Sequence, residues 1–359
     1  MDSLVERLAP LRDQRVLITG LSGFKGSWLA IYLRELGARV WGMSLMPDTN
    51  PSLFQLTLSD AGWDNRIIDI RHREDVSRCI QALKPTVIFH LAAQPLVLRS
   101  YDDPTETFDT NIGGSVNVLE AVRMTPSIRA VVYVTSDKCY RNDESGRAYV
   151  ELDPLGGHDP YSASKAAAEI VFDAYYSSFF SQAATLGAVS VRSGNVIGGG
   201  DWSADRIMPD CVRALTAGEP IFVRRPKSVR PWQHVLDPLT GYLMLAADLV
   251  SDPSSRTGAW NFGPDRTSFR TVEDLSNLVV KVWGSGQIEQ PTSETGKHEA
   301  GLLMLDSSRA RKELGWAPLR NFEDAVRETV LWYRRYSGGG NPLELCVAEI
   351  RNYLGGIHD

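Results

Sequence analysis

Apolar residues in the first half of the chain fall into two alternating patterns. Short continuous runs, rich in β-branched residues, occur at Arg15–Gly20, Ala38–Leu45, Thr86–Ala93, Ala130–Ser136 and Ala188–Arg192. Runs of this kind read as strands buried on both faces. Between them, apolar residues recur at helical spacing. Ser27–Leu36 presents Trp28, Leu29, Ile31, Tyr32 and Leu36, and Gly37 follows as a C-terminal stop. His72–Leu83 reads as a second helix. Asp103-Pro104 opens a third, with Glu106 placed for a capping box, and Asp159-Pro160 opens a fourth. Buried strands joined by helices need right-handed crossovers and a parallel sheet. The predicted fold class is α/β, a doubly wound Rossmann-type parallel sheet.

After about residue 193 this rhythm breaks. GNVIGGGDW (194–202) is too glycine-rich for a regular element. Later helical segments, Val235–Leu249 and Val272–Val282, alternate with loops. The expected organisation is a Rossmann domain over 1–193, with segments near 228–262 returning to it. A smaller, mixed and discontinuous substrate-binding region over 194–359 completes the chain. No internal repeat or low-complexity tract interrupts it.

Composition narrows the function classes. Hydrophobic residues are 43% and charged residues 23%, as expected of a globular protein rather than a disordered or disulfide-stapled one. The net charge of −6 leaves no basic excess for a nucleic-acid backbone. No run approaches about 18 apolar residues, so no membrane span is expected. The opening MDSLVERLAPLRDQR is acidic and lacks the apolar core of a signal peptide. Cys79, Cys139, Cys211 and Cys346 are widely spaced with no C-x-x-C pair, and they read as free thiols of a reducing cytoplasm. No His/Cys/Asp cluster has metal-ligand spacing, so no metal is expected.

Three glycines, Gly20, Gly23 and Gly26, follow the first strand and open the first helix. The first permits a tight turn, the second close approach of backbone to a pyrophosphate, and the third close packing of helix on strand. The helix N-terminus adds unpaired N–H groups and a positive dipole end. Dinucleotide binding is the expected function. Near Ser44, at the end of the second strand, stands no Asp or Glu for a ribose and no Arg for a 2′-phosphate, which favours NAD over NADP. Asp69 either meets the adenine amine or caps the helix of residues 72–83.

Tyr161 and Lys165, in YSASK, share one helix face at i and i+4. A cation beside a phenol favours the phenolate. The pair can then take a proton from an alcohol as hydride leaves the same carbon.

Together, TGxxGxxG, HLAAQ (90–94) and YSASK resemble the extended short-chain dehydrogenase/reductase superfamily. QPLVLRSY (94–101), TSDKCY (135–140), GGHDPYSASK (156–165), RSGNVIGGGDW (192–202), RPWQHV (230–235) and WNFGP (260–264) are similar to its nucleotide-sugar 4,6-dehydratases, in particular the branch that acts on CDP-glucose. The similarity runs over nearly the whole chain. It implies that Ser136 hydrogen-bonds the sugar hydroxyl, and that Asp137 and Lys138 stand where related dehydratases have Asp-Glu. C4 epimerases lack this acid/base pair. Oxidation at C4 acidifies the C5 proton, which Lys138 would take while Asp137 protonates the C6 hydroxyl. A lysine base needs a depressed pKa, and an aspartic acid needs one raised by burial.

The resemblance further implies a cofactor wall of Phe24, Lys25, Ile70, Ala92 and Ala93 beside the residues above. On the substrate side it implies Arg230 and Asn195 at the diphosphate. Arg206 is either a third diphosphate contact or a structural residue. Gln94 and Ser100 are expected near the sugar or nicotinamide, and His298 and Glu299 near the nucleotide. His234 reads as a satisfied, partly buried histidine, and His158 as a turn residue. Extended members pair the helices near 104–124 and 160–180 into a homodimer, with a tetramer as a further step. The aromatic stretch FDAYYSSFF (172–180) either joins that interface or packs on its own sheet. The family suggests a 6-deoxy or 3,6-dideoxyhexose for a bacterial surface polysaccharide, such as a lipopolysaccharide O-antigen, as the eventual product.

Overall fold

The computed structural model of the chain describes residues 3–59, 62–143, 145–290 and 303–355. Among them, seven strands form the central sheet: β1 (Arg15–Thr19), β2 (Arg39–Ser44), β3 (Asp64–Ile67), β4 (Val87–His90), β5 (Ala130–Val134), β6 (Gly187–Ser193) and β7 (Ala259–Phe262). Their order across the sheet is β3-β2-β1-β4-β5-β6-β7, and every pairing is parallel. The winding reverses between β1 and β4. A sheet wound this way leaves its ligand crevice at the carboxyl ends of those strands.

The longer helices are α1 (Phe24–Glu35), α2 (Arg73–Leu83), α3 (Ser115–Arg123), α4 (Pro160–Ser178), α5 (Ile207–Ala217), α6 (Leu236–Ser251), α7 (Val272–Trp283), α8 (Phe322–Ser337) and α9 (Pro342–Gly355). Alternation along β1 explains why its apolar run is uninterrupted. Val16 and Ile18 enter one core with Trp28 and Leu29 of α1 and Leu239 and Leu243 of α6. Leu17 enters the other with Val76 and Ile80 of α2, Val118 of α3 and Phe172 of α4. None of the helices described is long and apolar enough to cross a membrane.

Several local readings change. α1 begins at Phe24 rather than Ser27, because Gly23 takes the extended cap conformation and Ser27 N–H already bonds Gly23 C=O at 2.9 Å. Asp103 caps the next helix by accepting from Glu106 N–H at 2.8 Å, but no capping box closes there: the Glu106 carboxylate is drawn to Arg99, with both contacts at 2.9 Å. Asp69 does not cap α2, whose cap position is His72; its carboxylate accepts from Arg71 N–H and guanidinium instead. Within the glycine-rich 194–202 stretch, Val196–Ile197 does form a short strand, paired in parallel with Gln233–His234. The aromatic stretch of α4 divides: Phe172 and Phe180 are buried in its own core, while Phe179 is 46% exposed.

Candidate active site

The loop between β1 and α1 is shaped by two close approaches. Gly20 has φ +74°, and a Cβ there would stand 2.8 Å from Ala92 N. A Cβ on Gly26 would lie 2.1 Å from Gly20 O, so only hydrogen fits between helix and strand. At Gly23 the nearest atom to such a Cβ is Gly20 O at 3.4 Å, leaving its outer side open. The first N–H groups of α1 lack intrahelical acceptors. The open glycine backbone and these donors fit a pyrophosphate, as a dinucleotide such as NAD carries.

Ser44 is 4% exposed and its hydroxyl is engaged, donating to Asn65 Oδ1 at 3.0 Å and accepting from Ser22 N–H at 3.3 Å. It therefore braces the glycine loop. Ile70 is buried against Gly114, and Ala92 N–H donates to Thr19 Oγ1 at 3.2 Å. Ala93 is half-buried. Phe24 packs toward Gly198.

Beyond β5 the chain makes one tight turn over Asp137–Cys139. Ser136 donates to Asp137 Oδ1 at 2.8 Å and accepts from Lys138 N–H at 3.2 Å. Asp159 caps α4 through Ser162 N–H at 2.9 Å, which sets Tyr161 and Lys165 on the face that meets this turn. Ser136, Asp137, Tyr161 and Lys165 are all under 9% exposed, while Lys138 is half-buried. The Ser136 hydroxyl acts on the Tyr161 phenol in favour of its ionised form.

Burial pushes the Tyr161 phenol up to about 12, against the pull of Ser136 and Arg206. Burial pulls Lys165 itself down to about 8. Asp137 is raised above the ordinary carboxylate range, chiefly by burial, with Lys138 and Ser136 opposing.

Lys25 departs from the glycine loop. Its Nζ donates to Ser193 Oγ at 2.6 Å, and Ser193 also accepts from Tyr242 OH at 2.8 Å. Burial and Arg206 lower the Lys25 amine to about 7, with Asp137 opposing. Lys25, Arg206, Asp137 and Tyr161 thus act on one another across one small volume. Arg206 is anchored by Asp201 at 2.9 Å. A Cβ on Gly194 would lie 2.9 Å from Asp137 Oδ2 and 3.6 Å from Pro231 Cγ, which brings the backbone of Asn195 and Arg230 to the same rim.

Two residues expected near the sugar or nicotinamide have their polar groups taken up by the protein itself. Gln94 spends its amide on Leu96 O, Leu96 N–H and Thr107 Oγ1, at 2.6 to 3.1 Å, pinning the loop after β4. Ser100 is fully buried, donates to Val97 O and accepts from Tyr161 N–H at 3.2 Å. Both hold the frame of the site. His298 and Glu299 lie outside the described residues. His158 is an exposed residue of the bend before α4. His234 is more buried than expected: it is inaccessible and held neutral by burial at about 3, and its Nε2 makes no hydrogen bond among the described residues but stands 3.7 Å from Glu349 Oε2. No metal-binding cluster occurs among the described residues.

Asn111 was not singled out from sequence. It lies in a wide, π-type turn (Asp109–Gly114) ahead of α3, accepts from Gln94 N–H at 2.8 Å and donates to Ser164 Oγ at 2.8 Å. It ties the loop after β4 to the helix of Tyr161. Such turns mark functional sites often enough to be a signal, but they are invisible to apolar periodicity.

A glycine-lined dinucleotide loop facing a Ser–Tyr–Lys set defines a short-chain dehydrogenase/reductase-type enzyme. The sequence pattern of the GDP-mannose 4,6 dehydratase family matches residues 17–329, and the chain belongs to that family of sugar dehydratases. It is 43% identical over 347 residues to the CDP-glucose 4,6-dehydratase of Salmonella typhimurium, covering 96% of this chain and 97% of that one. A dTDP-glucose 4,6-dehydratase of Xanthomonas campestris is 26% identical, over 88% of this chain and 92% of its own. Among solved structures, the Thermus thermophilus UDP-glucose 4-epimerase complexed with NAD superposes with a TM-score of 0.74 at 25% identity, covering 89% of this chain and 99% of that one. The dTDP-glucose 4,6-dehydratase of Bacillus anthracis, also with NAD, gives 0.74 over 92% and 99% at 23% identity, a likeness of fold.

Proposed function

We propose that the chain is an NAD-dependent CDP-D-glucose 4,6-dehydratase, a hydro-lyase that forms CDP-4-keto-6-deoxyglucose. The observation that carries this reading is the Asp137 carboxyl. It is buried, raised by that burial and bonded to Ser136, beside the Tyr161 phenol. An alcohol-oxidising site needs only the tyrosine. A buried carboxyl next to it, raised above the ordinary carboxylate range, serves as the acid for the loss of water, which favours a dehydratase over an epimerase.

NAD, when bound, supplies the acceptor for the C4 hydride and returns that hydride to C6. Gly20, Gly23, Gly26 and the N-terminus of α1 would hold its pyrophosphate. Ser136 hydrogen-bonds the C4 hydroxyl, and Tyr161 takes its proton. Lys138 takes the C5 proton made acidic by the new ketone. Asp137 gives its proton to the C6 hydroxyl, which leaves as water. A proton then returns to C5. Arg230, Asn195 and Arg206 hold the diphosphate, for which the planar guanidinium fork is suited.

A homodimer is supported by the apolar side chains left on the outer helices: Phe108 is 37% exposed, Ile170 59% and Phe179 46%. The dimer–tetramer question is settled by light scattering on the purified chain. Four free cysteines, three of them buried, are consistent with a reducing cytoplasm. The deciding experiment incubates the chain with NAD and, separately, CDP-, dTDP-, UDP- and GDP-linked glucose, following the loss of one water by mass. Turnover of the CDP sugar alone is expected, and is abolished in Tyr161→Phe. Turnover of another nucleotide sugar would overturn the substrate, and no water loss from any of them would overturn the dehydratase.

A further inference from the structure

Lys165 works in a dry place. It is 6% exposed, and burial brings it down to about 8. The titratable and charged groups that face it come from four elements. His90 of β4 is neutral, held near 3 by burial. Cys139, in the turn after β5, is a thiol pushed far up by burial and so uncharged. Lys25 of α1 repels it. The remaining group is Glu169, one helical turn further along the same face of α4, and it is the anion among them.

Glu169 is 3% exposed, a place where a carboxylate is costly unless it is fully bonded. Three donors reach it. Thr135, the residue before Ser136, donates to Oε1 through a short bond. Ser190 of β6 donates to Oε2 at 2.9 Å, and the Arg192 guanidinium does so at 2.8 Å. Arg192, 4% exposed, spends its other amino group on Tyr140 OH at 2.7 Å and Glu151 O at 3.0 Å. Tyr140 in turn donates to Asn261 Oδ1 at 2.8 Å. The guanidinium acts on Glu169 and Tyr140, and of the pair it is the Glu169 carboxylate that acts on the Lys165 amine. The ion pair therefore presents its negative end to the lysine. A buried pair kept for stability alone is replaceable by apolar groups at little cost. This one joins β5, β6 and α4 immediately behind the reacting groups.

Resting on the acid–base reading of Tyr161 and Lys165, we propose that Glu169 is a positioning residue of this site: its carboxylate, held by Thr135, Ser190 and Arg192, is the counter-charge that keeps the Lys165 ammonium charged and fixed beside Tyr161. Glu169 touches neither sugar nor cofactor and acts through the lysine.

The test uses Glu169→Gln and, because that leaves a buried guanidinium unpaired, also the doubly neutral Glu169→Gln/Arg192→Met. Folding is checked by circular dichroism. The Lys165 titration is read by NMR of 13Cε-labelled lysine on the free chain, with its resonance assigned by its absence in Lys165→Met. The expected midpoint falls by about one pH unit or more in the folded variant, and Glu169→Asp recovers much of it. The alkaline limb of kcat/KM moves down in step, with KM for the nucleotide sugar within about twofold of the parent. A folded double variant with an unmoved Lys165 midpoint overturns the proposal. Activity retained in Tyr161→Phe would instead overturn the acid–base reading, and the NMR midpoint would still decide the electrostatic role of Glu169.

Discussion

Asp237, at the start of α6, is wholly buried, and its carboxyl is pushed up to about 7, chiefly by that burial. Oδ1 accepts from Tyr353 OH at 2.7 Å and Leu319 N–H at 2.8 Å, while Oδ2 has no partner among the described residues. In an unfolded chain the same group ionises near 3.8. The folded state therefore binds the extra proton between these values, so stability is present below about pH 4 and is lost as pH rises through about 7. At about 1.4 kcal/mol per unit, the full loss is about 4 kcal/mol, of which about 3 falls between pH 5 and pH 8. Asp237→Asn keeps an acceptor for Tyr353 and Leu319 but cannot ionise. Its new amide N–H group finds no partner, at a cost of about 1–3 kcal/mol that does not vary with pH. Urea unfolding of both proteins at pH 5, 6, 7 and 8 separates the two effects. The variant should gain about 3 kcal/mol on the parent across that range, whatever its offset at pH 5. Glu349, also raised by burial, and neutral His234 are common to both proteins and cancel in the comparison. Parallel pH dependences would refute the reasoning, because they would mean that Asp237 stays ionised in the folded chain.

Two further outcomes follow from the site. Asp137→Asn keeps the size of the side chain but cannot protonate a leaving hydroxyl. Water loss should fall by about 10²–10⁴-fold, while absorbance at 340 nm rises on adding substrate as oxidation outruns elimination; unchanged water loss would reassign the acid. Gly26→Ala places a methyl where 2.1 Å separates it from Gly20 O, so the glycine loop must open. Fluorescence titration should show NAD binding lost at concentrations that saturate the parent, and near-parental affinity would show that the loop can shift without harm.

Much of this was legible in the sequence, because the strands are buried on both faces and the glycine and YSASK signatures carry their own geometry. β1, β2, β5 and β6 fall within a residue or two of their apolar runs, and β4 ends at His90, three residues short of its own. β3 was missed because Asp64–Ile67 is an edge strand with a largely polar sequence. The protein partners of Gln94 and Ser100 were not legible because a sequence places a polar residue near a site without showing which backbone groups will claim it. Glu169 did leave a trace: an acidic residue interrupts the small and apolar side of YSASKAAAE, on the face that carries Tyr161 and Lys165. Its partner Arg192 comes from another strand, and no local spacing links the two.

The placement of β7 also bears on how the chain is made. β6 ends at Ser193 and its outer neighbour begins only at Ala259. At about 5–20 residues per second, a ribosome needs about 3–13 s to make the stretch between them. Throughout that interval the apolar edge Gly187–Ser193 has its hydrogen-bonding groups open on one side, a template for pairing with another nascent chain. A fragment ending near residue 193 would keep that edge permanently. Such a fragment should aggregate as it is synthesised, and slower translation before residue 259 should lower the soluble yield of the whole protein.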